Sequence, residues 1–232
     1  MDSRVPQGQA APRFDAVERA IDRHRATPSR RPIAPAQLEA FESIVAFLGN
    51  RPGPWALDAG CGTGRSTHRL AHLRGGVVVG VDRSAARLAR GVRSCEPSGD
   101  DVLLLRADLP SIWRLMSGAR LRATRCYLLY PNPAPKSALL GRRWHAHPCF
   151  EDLLGSCESV ELRTNWSVYA EEFAHALSYR LGRPHGVDRL DLGEAEPLSP
   201  FEDKYHRSGH PLFRVCSGRE GSGQSLLEPP RT

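Results

Sequence analysis

The segment Leu57-Asp58-Ala59-Gly60-Cys61-Gly62-Thr63-Gly64 constrains this chain more than any other. An apolar run enters a turn with glycine at every second position, and a helical pattern leaves it. Glycine takes positive φ at little cost and lets the backbone approach a ligand closely. A strand, a glycine-rich turn and a helix in that order are the parts of a nucleotide-binding βα unit.

From residue 55 onward, short β-rich runs alternate with helical patterns. The expected strands are Trp55 to Ala59, Val77 to Val81, Val102 to Arg106, Cys126 to Tyr130 and Val160 to Arg163. The stretches between them are long enough for crossover helices, which predicts an α/β, Rossmann-like fold with a central, mostly parallel sheet and helices on both faces. A helix is predicted over Val168 to Leu181, and a strand pair around Val187 to Leu192 and Leu212 to Val215. Upstream, Leu38, Phe41, Ile44, Val45 and Leu48 fall at helical spacing, ended by Gly49 and the Pro52-Gly53-Pro54 breaker. Residues 1–35 are expected as a flexible basic arm with one short helical pattern at Phe14, Val17 and Ile21. Residues 36–216 are expected to form the domain, and 217–232, rich in Gly, Ser and Pro, are expected to be a disordered tail.

Composition narrows the partners. A net charge of +6 and a pI near 9.3 suit a polyanion such as RNA. Lys136 and Lys204 are the only lysines among 32 basic residues, so the arginine excess reflects a GC-rich genome before it reflects function. Six cysteines without a CxxC pair or a Cys/His cluster argue against a zinc site. With no signal-peptide pattern and no apolar run near the ~20 residues that span a bilayer, the expectation is a cytoplasmic, metal-free monomer.

Three carboxylates follow the strands. Asp58 precedes the glycine turn. Asp82 closes the next strand, where a ribose-binding carboxylate falls in such sheets, though the N-cap of the following helix is an equal reading. Arg106-Ala107-Asp108-Leu109-Pro110 follows the third strand, and a helix N-cap is again the plain alternative for Asp108. After the fourth strand comes Tyr130-Pro131-Asn132-Pro133-Ala134-Pro135-Lys136, whose prolines fix an extended backbone at the crevice end of the sheet.

The GxGxG spacing after Asp58 resembles motif I of class I S-adenosylmethionine-dependent methyltransferases, and the later segments resemble the bacterial tRNA (guanine-N7-)-methyltransferases. Tyr130 to Lys136 is similar to that family's PDPWPK signature, with Asn132 for the aspartate and Ala134 for the tryptophan. Arg142-Arg143-Trp144-His145 stands where the family has a KRR-like stretch. Thr164-Asn165-Trp166-Ser167-Val168-Tyr169-Ala170-Glu171 matches TDxxxYxE, with Asn165 for the aspartate, and Ser199-Pro200-Phe201-Glu202 with Gly209-His210-Pro211 matches TxFE and GH.

The resemblance implies S-adenosylmethionine as cofactor, held by Asp58, Gly60, Gly62, Gly64, Asp82, Ala107, Asp108 and Asn132, with Asn132 also catalytic. It implies RNA, in particular tRNA, as substrate, bound by Lys136, Arg142, Arg143, Thr164, Asn165, Tyr169, Glu171, Ser199, Phe201 and Glu202. The two asparagines replace family aspartates, so a retargeted methyltransferase or a non-catalytic cofactor-binding paralogue are the alternatives. An Asn-Pro pair here is also similar to the NPPY motif of amino-directed methyltransferases, without its aromatic residue. A nicotinamide oxidoreductase on the same turn gives the proline-rich segment no role.

Overall fold

The computed structural model describes residues 3–7, 9–29, 31–49, 51, 53–92, 101–193 and 195–218. Five parallel strands, β1 (Trp55–Ala59), β2 (Val77–Asp82), β3 (Val102–Arg106), β4 (Ala123–Leu129) and β5 (Cys157–Thr164), lie where the β-rich runs predict them. Two more, β6 (Asp188–Arg189) and β7 (Phe213–Cys216), extend the β5 edge antiparallel, giving the order β3-β2-β1-β4-β5-β7-β6. The chain winds outward from β1 to β3 and then crosses back to β4 on the other side of β1. The carboxyl ends of β1 and β4 therefore flank the switch point, where open α/β sheets bind ligands.

The helices are α1 (Phe14–Ala26), α2 (Pro35–Gly49), α3 (Arg65–Arg74), α4 (Ala85–Val92), α5 (Leu109–Gly118), α6 (Phe150–Gly155), α7 (Ser167–Leu181) and α8 (Pro200–Arg207). Alternate residues of the central strands bury opposite ways. Leu57, Val79, Leu128 and Leu162 pack on Ile44 of α2, Trp113 of α5 and Phe173 of α7. Ala56, Val78 and Tyr127 pack on Leu70 and Ala71 of α3 and on Leu198. Burial on both faces is why these strands read as unbroken apolar runs.

The basic-arm expectation is corrected for α1. Ala20 is buried and Val17 and Ile21 pack into the main core, where Val and Ile at such burial contribute about 1.5–3 kcal/mol each. The Phe14 ring stacks on His175 of α7 at 4.5 Å, and the Arg13 amide donates to Glu172 Oε1 (3.0 Å). The periodicity marked a helix but could not show the face it docks on. Of the tail, Ser217 still pairs with Val160, while residues 219–232, like Cys95, lie outside the described residues.

Candidate active site

At the end of β1 the turn takes its shape from three glycines at positive φ: Gly60 (88°), Gly62 (61°) and Gly64 (79°). A Cβ on Gly60 or Gly62 would stand in open space, so both leave room for a ligand, whereas one on Gly64 would meet Leu104 Cδ1 at 2.6 Å. The Gly60 and Cys61 amides bond the Val81 carbonyl (2.8 and 3.1 Å), which ties the turn to β2.

Asp58 is buried, and its Oδ2 accepts from Ser66 Oγ (2.6 Å) and Thr67 Oγ1 (2.8 Å) in the first turn of α3. Burial pushes its carboxyl up to about 6 although both hydroxyl bonds oppose the shift. Gly80 of β2 makes this possible, because a Cβ there would sit 2.5 Å from Thr67 Oγ1. Asp58 thus fixes the turn against α3, a task that hydroxyls two and three residues past the last glycine foreshadow.

Asp82 links two loops. Its Oδ2 accepts from the Gly62 amide (3.0 Å) and its Oδ1 from the Ser84 amide (2.7 Å). The N-cap role beside α4 falls to Ser84, whose Oγ accepts from the Arg87 amide (3.3 Å). A carboxylate oxygen has a second lone pair for a ribose hydroxyl after one such bond. Asp108 is the N-cap of α5, its Oδ2 accepting from the Ser111 amide (3.1 Å) and hydroxyl (2.6 Å), and its own amide donates to Gln37 (2.7 Å). Ala107 is buried, with its amide on the Asp82 carbonyl (3.1 Å).

Across the switch point, Asn132 is exposed and its Oδ1 accepts from the Ala134 amide (3.0 Å). That bond fixes the amide orientation, since only the oxygen can accept. Tyr130 and Ala134, on either side, hold positive φ of 53° and 42°, costly for non-glycine residues and typical of functional loops. Lys136 and Arg142 are exposed beyond it, just before and at the end of the 3-10 turn Ser137–Arg142.

Several residues expected at the substrate are instead interior. Arg143 is buried with its guanidinium on Glu172 and on loop carbonyls. Tyr169 is buried and accepts the Trp144 amide (2.9 Å); Thr164 Oγ1 accepts the Trp166 amide (3.2 Å). Ser199 caps α8. Glu202 is fully buried and receives Arg163 Nη1 (3.2 Å to each oxygen), Tyr130 OH (3.0 Å) and the Leu198 amide (2.6 Å). Asn165 donates to His210 Nδ1 (2.9 Å), which requires that His210 Nε2 carry the proton given to the Ser3 carbonyl (3.0 Å). Glu171 is half-buried on α7, and Phe201 stays 48% exposed. The sequence reading missed Glu172, which lies at helical spacing from Val168, Tyr169 and Ala176 and so on the buried face of α7.

Residues 56–129, which hold the glycine turn and all three aspartates, match a family described as a methyltransferase domain. The chain carries a methyltransferase domain. Its cofactor is S-adenosylmethionine, and the site fits it: a glycine cradle open at Gly60 and Gly62, with the buried Asp82 carboxylate beside it. Over 185 residues the chain is 27% identical to the tRNA (guanine-N(7)-)-methyltransferase of Nocardia farcinica (strain IFM 10152), covering 73% of this chain and 68% of the relative. Among solved structures it is similar to an antibiotic-related methyltransferase (16% identity, 81% of this chain, 96% of that one, TM-score 0.53). It is also similar to the 16S rRNA methyltransferase KamB (16%, 80%, 94%, 0.50). At such identities these structures establish the fold alone, the Rossmann-like fold of methyltransferases. Among the described residues no helix is long and apolar enough to cross a membrane.

Proposed function

We propose that this methyltransferase methylates RNA at a ring nitrogen, with tRNA as the substrate and guanine N7 as the acceptor. The observation that carries the reading is the apposition, at the β1/β4 switch point, of the glycine cradle and the rigid loop presenting Asn132. The curated relative's activity and the ordered motifs from Gly60 to His210 support the same acceptor.

The bound cofactor supplies an electrophilic methyl group on a sulfonium. Asp82 would hold the ribose hydroxyls, the amides of the Gly60 to Gly64 turn would hold the methionine portion, and Asp108 would bind the adenine. Guanine N7 has an in-plane lone pair and no proton to lose, so the protein must align it and needs no general base. With Oδ1 turned to the Ala134 amide, the exposed Asn132 turns its NH₂ the other way, where it can meet a base. A donor there matches guanine O6, the acceptor beside N7, and leaves the N7 lone pair open to the methyl group. An asparagine supplies no negative charge for the methylated ring, which makes the reaction slower than an aspartate would allow. The exposed Lys136 and Arg142 hold phosphates.

The test is calorimetric titration with S-adenosylhomocysteine, followed by nucleoside mass spectrometry of tRNA incubated with S-adenosylmethionine. Binding with new 7-methylguanosine is the expected result. Binding with a different methylated nucleoside would mean a retargeted acceptor, and binding with none would mean a non-catalytic paralogue.

A further inference from the structure

Behind the loop that presents Asn132 lies a buried guanidinium. Arg143 Nε stands 3.2 Å from the Pro133 carbonyl and 3.4 Å from that of Ala134, and Nη2 stands 3.3 Å from Ala134 and 3.4 Å from Pro135. Its remaining arm, Nη1, forms an ion pair with Glu172 Oε2, and the two side chains are 3% and 1% exposed. Three successive carbonyls of one loop thus converge on one planar cation.

The loop needs such a fixture. Pro131, Pro133 and Pro135 have no N–H with which to join a ladder. Tyr130 and Ala134 occupy a strained region that persists only where surroundings over-determine it. Glu172 is in turn fixed by His145 Nε2 (3.1 Å) on Oε2 and by the Arg13 amide (3.0 Å) on Oε1. Burial lowers the His145 pKa and holds the ring neutral, so the charge of Glu172 faces Arg143. Burial also works against the Glu172 charge, but the bonds from His145, the Arg13 amide and Arg143 outweigh it and keep its carboxyl below the usual range.

We propose that Arg143 is a positioning residue for methyl transfer: oriented by Glu172, it holds the Pro133 to Pro135 carbonyls so that the Asn132 amide stays aimed at the acceptor base. The inference rests on the reading of Asn132 as the acceptor-side residue. It replaces the phosphate-binding role that the resemblance implied for Arg143, and it extends the site through α7 to the start of α1.

Arg143→Lys is the informative change, because an ammonium keeps the ion pair with Glu172 but has no planar fork for three carbonyls. Two readouts on the full chain separate the possibilities. In the tRNA assay, kcat is expected to fall about 10- to 100-fold (about 1.4 to 2.8 kcal/mol of barrier), while KM for tRNA and the Kd for S-adenosylhomocysteine stay within about threefold. In hydrogen exchange by NMR, the Ala134 amide, which bonds Asn132 Oδ1, is expected to exchange at least about tenfold faster, with Leu128 in β4 unchanged. Glu172→Gln should reproduce both effects, and it carries the test if Arg143→Lys loses β4 protection. Unchanged kcat with a raised KM and a shallower salt dependence would identify a phosphate ligand and overturn the proposal. Unchanged kcat and unchanged Ala134 exchange would show the clamp idle. If the unaltered protein methylates no tRNA, the functional reading fails, while the exchange experiment still decides whether Arg143 holds the loop.

Discussion

Glu202 separates a substrate-binding role from a structural one, because the structure places it in the interior and the motif around it points to substrate. Its carboxylate is the shared acceptor for Arg163, Tyr130 OH and the Leu198 amide. In Glu202→Ala, Arg163 keeps only Glu161 Oε1 (2.8 Å), and two further donors lose their acceptor in a fully buried site. Removing one member of a buried ion pair costs about 3–5 kcal/mol. The surviving Glu161 bond puts this case toward the lower end, about 3–4 kcal/mol. For a domain of this size each kcal/mol moves Tm by about 2–4 °C, so a fall of about 6–16 °C is expected in thermal unfolding followed by circular dichroism. Phe201→Ala, one residue away and 48% exposed, should change Tm by no more than about 2 °C and act on tRNA KM alone. If Glu202→Ala keeps Tm within about 2 °C while raising tRNA KM more than tenfold, Glu202 touches substrate and the buried network does not anchor α8.

Other perturbations test the cofactor end. Asp58 ionises with difficulty: raising a carboxyl from 3.8 to about 6 penalises its charged form by about 3 kcal/mol. The folded state therefore gains from protonated Asp58 at low pH and loses that gain as pH rises from about 4 through about 6. Urea unfolding should accordingly show Asp58→Asn improving relative to the unaltered protein by about 2–2.5 kcal/mol between pH 4 and pH 7; a parallel pH profile would contradict the burial argument. Gly80→Ala should cost about 1–3 kcal/mol, because its Cβ would meet Thr67 Oγ1 at 2.5 Å and Leu104 Cδ2 at 2.7 Å, and full stability would show that α3 can move away. Asp82→Ala should weaken S-adenosylhomocysteine binding about 10- to 100-fold by calorimetry, with undiminished affinity excluding the ribose role.

The strands from Trp55 to Thr164 were legible in the sequence because their cause is local. Each is an apolar run bounded by turn residues, and the Gly60, Gly62 and Gly64 turn needs φ values that few other residues take. The same locality made α1, α2 and α7 visible as periodicities. Asn132 and Lys136 could also be placed, since prolines around them fix an exposed loop at a strand end.

What motifs could not give was the direction of a polar side chain. Arg142 and Arg143 are adjacent in a basic stretch, yet one is exposed and the other is 3% exposed on a glutamate 29 residues away. Glu171 and Glu172 divide in the same way on α7, and the Arg13 amide meets Glu172 across 159 residues. Whether a charge faces water or the interior depends on a partner that only the packed chain brings within hydrogen-bonding distance, because an unpaired buried charge is too costly to persist. The sequence by itself therefore determined the sheet, the glycine cradle and the loop that faces it. The tertiary structure decided which of the charged residues face solvent and which are buried against a partner.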